Sequence, residues 1–166
     1  MTTLREGNLE LKLPAGIKGR KFDDEHHGLS HCMKAVDFIV ELPDRLFFIE
    51  VKDPGDPHAA AKRREAFINR FQSGELDEDL KYKYRDTFLY EWASGNVNKP
   101  VYYLIVVAVS TLTPAELLAR TEELQRKLPV NGPTSGAWKR QIAAGCSVFN
   151  IETWNKNLKD YPVTRI

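Results

Sequence analysis

Apolar and polar residues alternate at Leu9-Glu10-Leu11-Lys12-Leu13, the period of a half-buried strand, and the run stops at Pro14. Gly16 and Gly19 then sit in a basic loop, Lys18-Gly19-Arg20-Lys21, and FDDEHHGLSHC follows with no clear period. Residues 36–52 read as two strands rich in β-branched and aromatic side chains, joined at Pro43-Asp44. Pro54, Gly55 and Pro57 end that hairpin, and a helix is expected over about 58–71. Leu76, Leu80, Tyr84, Phe88 and Trp92 recur every four residues, which marks a second helix with one face on a core. The run 101–109 is apolar throughout and suits a central strand covered on both faces. Thr113-Pro114-Ala115-Glu116 has the spacing of a capping box, and opens a helix that carries Leu117, Leu118, Leu124 and Leu128. A short helix over 138–144 and a last strand over 146–151 complete the pattern. The order of strands and helices predicts an α/β protein with a mixed sheet and helices packed over it.

With Pro43 and Asp44 at the centre of the turn, facing residues of the hairpin have numbers that add to 87. Phe38 then opposes Ile49, and Asp37 opposes Glu50. Side chains alternate across a strand, so Val36, Phe38, Val40 and Leu42 share an apolar core face with Phe47, Ile49 and Val51. The other face, turned away from the core, carries Asp37, Ile39 and Glu41 beside Leu46, Phe48, Glu50 and Lys52. Directly opposed residues have Cβ atoms about 4.5–5.5 Å apart, so the Asp37 and Glu50 carboxylates repel unless a cation lies between them. Mg²⁺ prefers oxygen ligands, takes one or two carboxylates and keeps waters or a phosphate oxygen in its other positions. Lys52 is placed on the same face to hold a phosphate oxygen or orient an attacking water. The trio makes sense as a centre that cleaves phosphodiesters with Mg²⁺, for which Mn²⁺ is the natural substitute.

An Asp early in one strand and Glu-x-Lys at the end of the next resembles the PD-(D/E)xK nuclease superfamily. By that resemblance Asp37 and Glu50 are metal ligands, Val51 lends its backbone carbonyl, and Lys52 is the catalytic lysine; Val36 stands where the name-giving pattern has Pro. The resemblance implies a restriction-endonuclease-like mixed central β-sheet flanked by helices, and a metal-dependent nuclease. It also implies a helix ahead of the hairpin with a further acidic ligand. Residues 1–35 show no amphipathic helix, and of Glu6, Glu10, Asp23, Asp24 and Glu25 the choice falls on Glu25, beside a short turn before the strand. The helix after the lysine often lines the nucleic acid in this family, and here it carries Lys62, Arg63 and Arg64. Glu-x-Lys alone is weak, since a chain of this length holds roughly one by chance. Glu10-Leu11-Lys12 is such a copy, without an opposed Asp.

Composition narrows the classes further. The 166 residues, 42% apolar and 28% charged, suit one domain spanning 1–166. A net charge of +1 leaves any polyanion to be met by local patches, of which Lys62-Arg63-Arg64 is the best placed; Lys21, in the Lys18 to Lys21 run, is a further contact, and Lys81, Lys83 and Arg85 form a third cluster. Two cysteines exclude a disulfide framework, no signal-peptide pattern opens the chain, and no apolar run approaches the roughly 20 residues of a membrane span. A cytoplasmic protein is expected, with no membrane partner. His26, His27, His31 and Cys32 have metal-ligand chemistry but lack the second ligand pair of a structural zinc site. The functional expectation is a nuclease acting on DNA, with RNA as the alternative substrate, and with a homodimer or partner subunit supplying any sequence selection. The competing expectation is a catalytically inactive nuclease-fold protein that binds nucleic acid or serves in an assembly.

Overall fold

The computed structural model describes residues 2–55 and 60–166, apart from the side chain of Glu25. The chain opens with β1 (Thr2–Glu6) and β2 (Leu9–Leu13), an antiparallel pair. It continues through β3 (Lys18–Lys21), a 3₁₀ turn at Glu25–His27, β4 (Phe38–Glu41) and β5 (Leu46–Lys52). Two helices follow, α1 (Ala61–Ser73) and α2 (Asp77–Ala93), then β6 (Val101–Val107), α3 (Pro114–Lys127), β7 (Gly145–Phe149), α4 (Ile151–Asn157) and β8 (Val163–Arg165). The result is mixed α/β. A five-stranded sheet of order β3-β4-β5-β6-β7 is antiparallel on its β3-β4-β5 side and parallel on its β5-β6-β7 side. A three-stranded antiparallel sheet has the order β1-β2-β8.

The hairpin forms in the expected register, Phe38 opposite Ile49 and Glu41 opposite Leu46, and Leu42 N–H closes the turn on the Arg45 carbonyl at 2.9 Å. Pro43 fixes φ there and lacks the N–H a continuing ladder would need. The expected face assignment needs correcting. Phe38, Val40, Phe47 and Ile49 pack against Leu9, Leu11 and Leu13 of the small sheet and Trp154 of α4. The supposedly outward face is a second core: Ile39, Leu46 and Phe48 pack with Phe71, Leu80, Tyr84, Leu117 and Leu124 from α1, α2 and α3. Val36 belongs to this helix-side core, because residues before Phe38 have left the strand. The central sheet is therefore sandwiched between three helices and the small sheet with α4, and any charge on its helix face is buried unless it lies at a strand end.

Glycine explains one close approach. A Cβ at Gly19 would run into Leu13 and Leu4, so its absence lets β3 lie against the small sheet. The basic run from Lys18 to Lys21, expected as a loop, is thus an edge strand. The helix expected from about residue 58 begins at Ala61 in the described residues, and 56–59 lie outside them. The capping box forms as expected: Thr113 Oγ1 accepts from Glu116 N–H at 3.3 Å, and Thr113 N–H donates to Glu116 Oε2 at 2.7 Å. No helix forms over 138–144. That segment is pinned in irregular conformation by the Tyr84 hydroxyl, which donates to the Ile142 carbonyl at 2.6 Å, and by Ala144 N–H on the Val101 carbonyl. None of the described helices is long and apolar enough to cross a membrane.

Candidate active site

Asp37 stands immediately before β4, and Glu50 and Lys52 lie among the last three residues of β5; the ladder ends at the Phe38–Ile49 pair, and just beyond it the two acids are close enough at one end of the sheet for each to act on the other's charge. Asp37 is 4% exposed and Glu50 is 0% exposed. Asp37 Oδ2 accepts the Val51 N–H at 2.6 Å, while Phe22 N–H reaches the Asp37 carbonyl at 2.8 Å and carries the β3 edge up to the site. The N–H and C=O of one strand residue point to the same side, so the Val51 carbonyl also faces the Asp37 edge, where the ladder has ended.

Glu50 is the electrostatic centre. Its Oε1 lies 2.8 Å from Lys52 Nζ and 2.7 Å from Lys83 Nζ, whereas its buried Oε2 has no hydrogen-bond partner among the described residues. Lys83 comes from α2, as does Asp79, which sits 3.7 Å from Lys52 Nζ and also pairs with Lys34. Burial, then the neighbouring Glu50 charge, push the Asp37 carboxyl up to about 7, against the opposing pull of the Val51 N–H. Burial would drive the Lys83 ammonium down, but the Glu50 charge and hydrogen bond outweigh it and hold the group above its ordinary value. Burial likewise works to raise Asp79, and Lys34 and Lys52 reverse it, keeping that carboxyl below the ordinary range.

Helix α2 also positions the strand. Its Asp86 accepts from Lys34 N–H at 2.8 Å and its buried Thr87 Oγ1 accepts from Val36 N–H at 3.1 Å, so both bonds fix the segment leading into Asp37. Sequence reasoning placed Lys83 only in a basic cluster. The usable signal was its spacing: Asp79 and Lys83 are four apart and flank the buried stripe of Leu80 and Tyr84, which puts their heads beside the same sheet end. Lys81 and Arg85 point elsewhere, to Glu78 and to the Lys127 carbonyl.

An open cavity of about 660 Å³ leads to this cluster, lined by Lys34, Lys52, Asp53, Arg63, Arg70 and Asp79. Lys52, 22% exposed at its side chain, is the member of the trio that reaches it. The Lys62-Arg63-Arg64 cluster is divided: Arg63 lines this groove, Arg64 lines a separate cavity of about 460 Å³, and Lys62 is exposed. Lys21 ends β3 and is tied to Glu6 at 2.6 Å.

The acid expected upstream, Glu25, falls where the side chain is not among those the structure describes. Among the described residues no helix precedes the hairpin beyond the 3₁₀ turn. Glu10 is buried on the small sheet between Arg5 and Lys12. His26 pairs with Asp24, His27 stacks on Phe22, and Cys32 Sγ contacts the Leu29 carbonyl; they do not converge on one point. Among the described residues no three His, Cys, Asp or Glu side chains form a metal-ligating group, and the two buried acids at this end of the sheet are Asp37 and Glu50. That pair fits a divalent cation: two buried carboxyls, one raised by the other's charge, and one oxygen with no partner. No protein-family model matches the chain, and no curated protein or solved structure is significantly similar to it.

Proposed function

We propose that this protein is a divalent-metal-dependent nuclease that hydrolyses phosphodiester bonds, with DNA as its substrate and Mg²⁺ or Mn²⁺ as its cation. The observation that carries the reading is the buried Glu50 Oε2, which has no partner among the described residues, beside a similarly buried Asp37. A buried ionised oxygen with nothing to bind is costly, and such a group at the foot of a basic groove is more economical as a ligand than as a structural element. The antiparallel β3-β4-β5 unit, the helices after it and the parallel β6 and β7 accord with a PD-(D/E)xK, restriction-endonuclease-like frame.

In this reading Asp37 and Glu50 hold the cation, with the Val51 carbonyl turned to the same edge. The bound cation would activate a water and stabilise charge developing on the phosphate. Lys52, paired with Glu50 but open to the groove, donates a hydrogen bond from its ammonium to a phosphate oxygen or to the attacking water. Arg63, Arg70 and Lys34 line the path of the backbone, where charge-assisted hydrogen bonds to phosphate hold the substrate in register.

One observation favours a second reading. Glu50 is already neutralised by two lysines, so the cluster is a self-sufficient ion-pair network, as an inactive nucleic-acid-binding subunit would keep. Calorimetric titration of Mg²⁺ or Mn²⁺ into the wild type and Asp37→Ala, beside cleavage of plasmid DNA and single-stranded RNA, separates the two. Cation binding and cleavage in the wild type, both lost in Asp37→Ala, support the nuclease; DNA binding with neither supports the subunit.

A further inference from the structure

We infer that the site takes a single divalent cation, because the Lys83 ammonium fills the side of Glu50 on which a second cation would bind. This rests on the metal-dependent reading above and deepens it. Two-cation centres hold their ions about 3.5–4 Å apart and commonly share a carboxylate between them. Glu50 cannot be shared in that way. Oε1 is approached by two ammonium groups, at 2.7 and 2.8 Å, whereas Oε2 has no partner among the described residues. Asp37 is similarly half committed, since Oδ2 accepts the Val51 N–H at 2.6 Å. What remains is one free oxygen from each acid and a carbonyl on the same edge, a donor set for one small cation.

Charge balance points the same way. Asp37, Glu50 and Asp79 face Lys34, Lys52 and Lys83, so the cluster is neutral when all are ionised. One divalent cation leaves an excess of two positive charges, which a phosphodiester and a hydroxide offset. A second would leave an excess of four in a site where Glu50 is wholly buried. Lys52 can swing towards the groove, but Lys83 is held on α2 between Leu80 and Tyr84, both buried, with its side chain 15% exposed. A fixed monovalent cation thus stands where a second metal would need to be. Lys83 is a positioning residue in this scheme: it orients Glu50 and keeps Oε2 turned to the one remaining place.

Titration of Mn²⁺ into the metal-free full chain tests this, read by calorimetry and by the electron paramagnetic resonance of bound Mn²⁺, in which a close pair shows spin coupling. Sites are counted only if Asp37→Ala removes them. The expected result is one Mn²⁺ per chain in the wild type and in Lys83→Arg, and two, with spin coupling, in Lys83→Met. Two coupled ions in the wild type, or one in a folded Lys83→Met, overturn the inference while leaving the nuclease reading intact. No Mn²⁺ in the wild type overturns both. Should Lys83→Met fail to fold, the wild type and Lys83→Arg decide the matter, one ion in each supporting the inference and two in either overturning it.

Discussion

Replacing Asp37 with Asn should stabilise the metal-free protein, and only at neutral to alkaline pH. The Asp37 carboxyl is raised from 3.8 to about 7 by burial and by Glu50, with Glu6 adding to the effect and the Val51 N–H and Lys83 opposing it. A carboxyl raised on folding holds its proton more tightly in the native state than in the unfolded chain. Its contribution is therefore complete below the unfolded value and is lost as pH rises from about 4 to about 7, the reverse of a salt-bridged carboxylate. A shift of about 3 units at about 1.4 kcal/mol each sets an upper bound of about 4 kcal/mol. The surrounding lysines and the Val51 N–H can relax towards an ionised Asp37, so a gain of about 1–3 kcal/mol is expected at about pH 8. Asn retains an acceptor for the Val51 N–H, so the hydrogen bond at the head of β4 is not the variable.

Urea denaturation in the presence of a chelator, at about pH 5 and about pH 8, reads the effect. Wild type should lose stability between the two, and Asp37→Asn should not. Saturating Mg²⁺ should restore the wild type at the higher pH, by about 2.7 kcal/mol at a hundredfold excess over its dissociation constant, and leave Asp37→Asn unmoved. Equal pH dependence in the two proteins would falsify the claim that burial beside Glu50 raises the Asp37 carboxyl.

Lys52→Ala should lower the rate of DNA cleavage by about 10²–10⁴-fold while one-cation binding persists, since the lysine reaches the groove and Lys83 still pairs with Glu50 in its absence; parallel loss of the metal in calorimetry would assign it a purely structural role. Arg63→Ala should weaken DNA binding and reduce the slope of log affinity against log salt by about 1, whereas Arg64→Ala, in a different cavity, should change neither. Thr87→Val leaves the buried Val36 N–H without an acceptor and should cost about 1–3 kcal/mol in urea denaturation, with Thr87→Ser close to wild type; equal stability of all three proteins would remove α2 from the positioning of Asp37.

The part of this architecture that could be read from the chain is the part fixed by local chemistry. Pro43-Asp44 sets the turn, the turn sets the register, and the register carries the ladder as far as Phe38 opposite Ile49, one residue short of Asp37 and Glu50. Thr113 and Glu116 announce the start of α3 in the same local way. The missed strands lack such signals. Lys18–Lys21 is a basic strand with a glycine in it, strand-forming only because β4 lies on one side and the leucines of the small sheet lie below. Val163–Arg165 is three residues long and exists through pairing with Leu9 to Leu11. The helix stripe was legible but rotates along its length: Leu80 and Tyr84 are buried, while at the other end Glu91 is buried against Arg20 of β3 and Trp92 is 63% exposed, because a spacing of four residues drifts off the 3.6-residue period of the helix. Lys83 was marked only by its four-residue spacing from Asp79 beside that stripe, for a different reason. A lysine next to a buried stripe is ordinarily a solvated boundary residue, and only the three-dimensional approach of α2 to the end of β5 turns it towards a carboxylate.

That approach has a consequence for how the site is assembled. The hairpin alone supplies two acids and a lysine, an arrangement of net charge −1 at which like charges repel. Helix α2 supplies Lys83 to the acids, Asp79 to Lys34 and Lys52, and two side-chain acceptors to the backbone ahead of Asp37. These contacts link residues some 30 to 50 positions apart, and the carboxyls they fix are costly to bury before the lysines arrive. Docking of α2 and closure of the acid pair are therefore one event energetically. A substitution on the helix face that never touches a substrate, such as at Thr87, should change both the stability of the fold and the readiness of Asp37 to accept a cation, because the same two hydrogen bonds serve both.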